Sequence, residues 1–304
     1  MRGSIYYQTS VLTKNIFKSG VNKVEKINIK SENYQYISSF QTMKSYRMIW
    51  NDFGKFLYEV YEIKDFEQIR SEHVEKFMYE KIFNNVAHQY LQKVSSSIGK
   101  LEFILTRLSK LYNKNIVYDF SIRIKIVKNA KIYALTNNNY RDRAYENPKL
   151  ISSFIKNEKY KLASLIQTCS GTRAEGICLI KQSQLHGYKQ DTVTNKEIGL
   201  VETKEKGGKI GHIYIELELY KQLEKIIQTD SFFKIDYQKY VGAIRKACLI
   251  VGVQSEGTHG FRWNFAQKRV IEYQNANYCY RDSLQLVSKE MKHERPDITC
   301  HYIG

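Results

Sequence analysis

The sequence predicts a mainly α-helical chain of two domains, with a small β-hairpin or sheet in the second. Three observations predict this class. Apolar residues recur at three- and four-residue steps over long stretches, the period of helices with one buried face. Proline is scarce, at 2 in 304 residues, which favours long uninterrupted helices. The stretch Leu200–Ile215 instead alternates on both sides of Gly207-Gly208, and a Gly-Gly pair supplies the positive φ of a tight hairpin turn. A chain of this length corresponds to about two domains at roughly 100–200 residues each.

Taken in order, residues 1–40 are polar, carry scattered Lys and Asn without a lasting period, and read as a loose basic arm. From Thr42, a candidate cap, Tyr46, Ile49, Phe53, Phe56, Leu57 and Val60 mark one apolar helix face. A short helix begins near Ser71 and carries Val74, Phe77 and Met78. A third runs from about Asn85, with Tyr90, Leu91, Val94, Ile98, Leu101, Ile104, Leu105, Leu108 and Leu111 on its face. Residues 41–115 thus form a small helical bundle. A linker rich in Asn, Lys, Arg and Tyr is placed over 116–145, and the second domain over 146–304. That domain opens on a helix with Leu150, Ile151, Phe154, Leu162, Leu165 and Ile166. An amphipathic segment with Ile177, Leu179 and Ile180 follows Thr172. Beyond the hairpin, helical periods cover about 217–228, 237–251, 260–274 and 280–291.

Composition narrows the function. Apolar residues at 42% and charged residues at 26% give an ordinary globular balance, which argues against disorder over most of the length. The net charge of +17 points to a polyanionic partner, foremost nucleic acid. No apolar run reaches eighteen residues and the N-terminus lacks a leader pattern, so a cytoplasmic, nucleoid-associated location without membrane attachment is expected. The five cysteines form no CxxC pair, and the grouping of His293, Cys300 and His301 matches no common zinc spacing. No P-loop, GxSxG or HExxH motif occurs, and no cofactor or metal is expected.

The residues that carry chemistry sit beside breakers or element ends in the second domain. They are Arg173 in SGTRAEG, Lys206 in KEKGGK, His259 and Arg262 in HGFRWNFAQKR, and His293 and Tyr302 in MKHERPDITCHYIG. Singly each is unremarked surface chemistry: an arginine at a helix start, a lysine at a hairpin, a tyrosine among 24. Their order is what distinguishes them, together with the nine-residue step from His293 to Tyr302.

In this order and spacing the chain resembles the tyrosine recombinase, or phage integrase, family. The closest likeness is to a subgroup reading HGLRHxYAQxRY and then ELGHxRxxITxxYLG, in which the chain ends just after the tyrosine. The likeness extends to the helical bundle, which looks like the family's SAM-like core-binding DNA-binding domain. Departures are local. Gly176 stands where the family usually has an acid three residues after the first arginine, and the acid here is Glu175. Trp263 replaces a histidine, Met291-Lys292 replaces Leu-Gly, and the interval from Arg262 to His293 is long.

The resemblance implies a site-specific recombinase that breaks and rejoins DNA through a covalent 3′-phosphotyrosine, without metal or ATP, to integrate or excise a mobile element. It implies Arg173 and Arg262 on the phosphate oxygens, Tyr302 as nucleophile and Lys206 as general acid, with Lys204 and Lys209 as competitors. His259 would exchange the tyrosine proton, and His293 would donate a hydrogen bond to the phosphate. Double-stranded DNA, clamped between the two domains, a homotetramer on two DNA sites and an accessory DNA-bending factor are the partners implied. A topoisomerase IB-like or telomere-resolving relative, and a catalytically silent DNA-binding regulator, are the alternatives.

Overall fold

A computed structural model of the chain describes residues 1–114, 116–137, 140–205, 208–293 and 295–303. The chain divides into two compact units, Met1–Asn139 and Tyr140–Gly304.

The first unit is helical. Its elements are α1 (Ile5–Ile16), α2 (Lys23–Ile27), α3 (Phe40–Tyr61), α4 (Ser71–Phe83), α5 (His88–Leu111) and α6 (Ile122–Ile132). Trp50, Phe53, Phe77, Ile98 and Leu101 are fully enclosed at its centre, and the Trp50 indole N–H donates to the Ser97 carbonyl at 2.9 Å. That bond lets a large polar-tipped ring be buried without an orphaned donor. Ser39 caps α3, accepting from the Thr42 N–H, so Thr42 lies inside the first turn rather than at the cap.

Two expectations are corrected here. Residues 1–40 are not a loose arm: α1 and α2 occupy them, and Leu12 and Ile16 are buried in the bundle core. Scattered Lys and Asn hid a helix whose apolar face is short. The segment 116–145 is not a bare linker either, since α6 lies within it and buries Ile126 and Ala130 in that core.

The second unit contains α7 (Pro148–Ser153), α8 (Glu158–Ser170), α9 (Ala174–Ile177), β1 (Leu179–Lys181), β2 (Leu185–Gln190), β3 (Glu197–Glu205), β4 (Lys209–Glu216), α10 (Leu217–Asp230), β5 (Phe232–Lys234), α11 (Tyr237–Val251), α12 (Gly257–Asn275), α13 (Tyr280–Glu290) and α14 (Pro296–Cys300). The expected hairpin is present as β3 and β4, paired from Ile198↔Glu216 to Glu205↔Lys209. A third strand, β2, extends it to an antiparallel sheet in the order β2-β3-β4. β1 and β5 form a separate antiparallel pair. The amphipathic segment expected after Thr172 divides between α9 and β1, because apolar residues so few and so close suit either period.

The sheet buries Val201, Ile213 and Ile215 against Leu219, Tyr220 and Leu223 of α10 and against α8. A second cluster joins α12, α13 and the C-terminal segment through Trp263, Phe265, Val270, Leu284, Val287, Met291 and Tyr302. Arg173, His259, Arg262, His293 and Tyr302 lie at or near the ends of these packed elements.

Candidate active site

Helix α8 ends at Gly171, whose φ of +61° is left-handed. A side chain there is excluded twice, by that φ and by the Phe265 ring of α12, which a Cβ would meet at 2.2 Å. The turn delivers Arg173 to the N-cap of α9, where the extended backbone frees the guanidinium to point away from the helix. Its Nη1 donates to Oε2 of Glu205 at 2.7 Å. Glu205 ends β3 and is buried. It also accepts from the Thr172 hydroxyl at 2.9 Å and pairs with the Lys292 ammonium at 3.3 Å.

Arg262 lies on the inner face of α12, one turn beyond His259, and is almost entirely buried at 1% exposure. A buried charge needs partners on every side. Arg262 finds them in the Gly171 carbonyl, in the Met291 carbonyl at 2.6 Å, and in His293 Nε2 at 2.8 Å. Its Nε is buried with no partner among the described residues. Burial and the neighbouring Arg173 pull its pKa below the ordinary arginine value, against Tyr302 and Glu205.

The contact with Arg262 assigns the His293 tautomer. An arginine only donates, so Nε2 of His293 accepts, and the ring proton sits on Nδ1, which donates to the Thr299 hydroxyl at 2.9 Å. Tyr302 completes the group. Its ring is buried, 5.6 Å from the His293 ring and 5.8 Å from the Arg262 guanidinium carbon. Trp263 walls the other side, with ring centroids 5.2 Å apart.

His259 is on the exposed side of the first turn of α12. Crowding around the ring, then the charges of Arg143, Arg262 and Arg173, holds its pKa below the ordinary value, which keeps it neutral near pH 7. Lys206 and the side chain of Lys209 lie outside the described residues. Lys204 is exposed on β3.

Of the six residues nominated from sequence, the structure therefore brings Arg173, His259, Arg262, His293 and Tyr302 into one neighbourhood. Sequence reasoning missed Glu205 and Lys292. Glu175, the acid singled out near Arg173, is exposed, whereas Glu205 comes from a strand thirty residues further on. Its signal was weak but present: an acid ending an alternating run, on the inward-facing parity of Val201 and Thr203.

Behind the site, a second network fixes the ends of α12 and α13. Arg269 makes a bidentate pair with Asp191 at 2.9 Å and bonds to Glu290 and Glu272. Tyr273 donates to Glu290 at 2.7 Å. Among the described residues, a grouping that could hold a metal ion is His186, Glu202 and His212, whose ligating atoms lie within 4.8 Å of one another. It sits on the outer side of the β2-β3-β4 sheet and includes none of the nominated residues.

This arrangement places guanidiniums, a neutral imidazole and a phenol around one point, with a buried carboxylate holding one guanidinium from behind. It can bind a phosphate through charge-assisted hydrogen bonds and present an oxygen nucleophile to it.

By sequence, no family model and no curated protein matches the chain. By structure, the fold is that of the tyrosine recombinases. XerH site-specific recombinase, in a post-cleavage complex with palindromic difH substrate, superposes with a TM-score of 0.60 at 14% identity, covering 99% of this chain and 89% of that one. A lambda integrase dimer bound to a COC′ core site gives 0.57 at 14% identity, covering 93% of both chains. A lambda integrase tetramer bound to a Holliday junction gives 0.50 at 14% identity, covering 98% and 84%.

Proposed function

We propose that this chain, folded as a tyrosine recombinase, is a site-specific DNA recombinase that cleaves and rejoins strands through a covalent 3′-phosphotyrosine. The observation that carries the reading is the convergence of Arg262, His293 and Tyr302, with His293 Nε2 at 2.8 Å from Arg262 and the Tyr302 ring within 6 Å of both. Helix α12 and the C-terminal segment, about thirty residues further on, supply these groups, and together they form an anion site beside a phenol.

The chemistry follows from the charges. A phosphodiester repels nucleophiles through its own oxygens, so two guanidiniums from Arg173 and Arg262 would take the non-bridging oxygens and the charge that grows in the pentavalent state. Each such donor contributes about 2.7–4 kcal/mol in comparable anion holes. Tyr302 Oη attacks phosphorus; the O–P bond forms as the bond from phosphorus to the 5′ oxygen breaks. His259, held neutral by its cationic neighbours, takes the phenolic proton, and Lys206 supplies a proton to the departing 5′ oxygen. Rejoining runs the same steps in reverse with a new 5′ hydroxyl. The backbone bond energy is kept in the phosphotyrosine, so neither ATP nor metal enters the sequence.

DNA is the partner that a net charge of +17 would attract, with most affinity drawn from phosphate neutralisation. Assembly of four protomers on two DNA sites, acting in the cytoplasm on the nucleoid, belongs to this reading, and the lambda integrase tetramer on a Holliday junction is a precedent within the fold. Integration or excision of a mobile element is the role proposed.

Covalent trapping tests the reading. The protein is incubated with fragmented DNA from its own source and denatured in detergent, and the DNA that stays attached is sequenced, with Tyr302→Phe in parallel. Adducts that need Tyr302 and cluster at one sequence are expected. Scattered Tyr302-dependent adducts would move the assignment to a topoisomerase-like relaxer. Binding without adducts would move it to a silent regulator.

A further inference from the structure

Two positions around Arg173, Gly176 and Lys292, depart together from the family pattern, and the structure connects them. Gly176 stands where an acid is usual, and a Cβ there would meet Thr172 Oγ1 at 2.8 Å and Glu205 Cγ at 3.2 Å. The space beside α9 is therefore already taken by the Thr172 hydroxyl and by the side chain of Glu205 to which that hydroxyl donates. Lys292 stands where glycine is usual, and it keeps a left-handed backbone at φ +56°. That conformation is costly for a lysine and persists where side-chain contacts compensate. The contacts are visible: its ammonium pairs with Glu205 at 3.3 Å and bonds to the Thr203 hydroxyl, with the side chain largely buried. Its stem lies over Gly211 of β4, where a Cβ would meet Lys292 Cε at 3.2 Å.

We propose that Glu205 and Lys292 form a buried positioning couple that holds Arg173 in place of an acid on α9, with Gly176 and Gly211 as the space this exchange requires. The inference deepens the recombinase reading and rests on it. The two oxygens of Glu205 divide the work. Oε2 binds Arg173, while Oε1 takes the Thr172 hydroxyl and the Lys292 ammonium. Lys292 gives the buried carboxylate a second cation on the side away from Arg173, and it ties the end of β3 to the segment that carries His293. The titration behaviour agrees. Burial would raise the Glu205 pKa, but Lys292, Arg173, Arg262 and Thr172 hold it below the ordinary value. Neither residue touches the reacting atoms; both act through Arg173 and the β3 end.

The couple makes a prediction that a merely structural pair does not. In the trapping assay, Glu205→Ala should lower adduct yield on the order of 100-fold, the scale of losing one anion-hole donor. Adding Gly176→Glu should restore part of that yield, because the carboxylate returns from the other side into the vacated space. In the otherwise unchanged protein, Gly176→Glu alone should reduce yield by overpacking against Glu205. A urea cycle over Glu205→Gln, Lys292→Met and the double variant reads the couple without DNA, and the double variant should lose less than the two singles together.

Additive urea midpoints would overturn the couple. So would wild-type adduct yield from Glu205→Ala, or a Gly176→Glu, Glu205→Ala pair no better than Glu205→Ala. A wild type that gives no Tyr302-dependent adduct while the urea cycle is non-additive would instead overturn the recombinase reading, and the positioning role with it.

Discussion

Arg262 and His293 meet at 2.8 Å with the arginine donating, so the imidazole accepts through Nε2 and keeps its proton on Nδ1 toward Thr299. For His293 to donate to a phosphate, Arg262 must turn its N–H toward that phosphate and the ring must carry hydrogen on Nε2. The phosphate thus replaces a contact that exists within the protein, and the two residues act as one anion site.

Replacing Arg262 should therefore cost both chemistry and stability. Arg262→Ala removes the donor from the Gly171 and Met291 carbonyls, at about 1–3 kcal/mol for each buried group left unsatisfied. Adduct formation should fall on the order of 10²–10³-fold. Arg262→Lys should not restore it, because an ammonium cannot reach two carbonyls and an imidazole in a planar fork. Denaturant midpoints and adduct yield, measured on the same preparations, check both parts.

Trp263 forms the wall against which Tyr302 packs. Trp263→Ala should lower stability by about 3–5 kcal/mol, as expected when a large buried ring is lost. Trp263→His keeps a ring there and should retain more adduct yield than Ala. Equal yields from the two variants would mean that the indole does not position the nucleophile.

Neutral His259 is the proposed acceptor of the tyrosine proton, and its pKa is held below the ordinary 6.5. Adduct formation should rise with pH through a limb that lies below 6.5, and it should be nearly flat from there to pH 8. His259→Ala should remove that limb and lower the plateau by about 10²–10⁴-fold.

Acid should unfold the second unit through Asp191. Burial would raise its pKa, but the bonds from Arg269 and Thr194 hold it well below the ordinary carboxylate range. A carboxyl depressed on folding contributes stability that is complete above its unfolded pKa of about 3.9. That contribution is lost as pH falls toward the folded value. Asp191→Asn should lower stability at pH 7 and flatten its decline below about pH 4, as followed by thermal unfolding across pH.

DNA affinity should fall steeply with salt, with log affinity declining by about 0.9 per phosphate neutralised for each unit of log salt. A slope near zero in a titration between low and moderate salt would contradict a polyanion as partner.

The helices of the first unit were legible where an apolar face repeats over several turns. The faces of α3 and α5 carry Ile49, Phe53, Leu57 and Leu91, Ile98, Leu105 at regular steps. α1 was not legible, because its buried face includes Gln8, Thr9 and Thr13, polar residues satisfied by local and tertiary hydrogen bonds that a periodicity count scores as surface. In the site, the order of Arg173, His259, Arg262, His293 and Tyr302 was legible because motif spacing records it. Glu205 was not: its role depends on which face of β3 turns toward α9, and on a glycine at 176 that makes room. Both are properties of packing, and the alternation of β3 hints only at the first of them.

The anchoring of Arg262 also bears on how such a protein would decay. A side chain pinned by two main-chain carbonyls and an imidazole would be expected to matter to stability as well as to the proposed chemistry. Tyr302→Phe keeps the ring that packs on Trp263 and His293 and deletes only the hydroxyl. A lineage that abandoned strand cleavage would thus shed the phenol oxygen at little structural cost while retaining the arginine. In descendants of this fold, the tyrosine is the better witness to activity and the buried arginine to integrity.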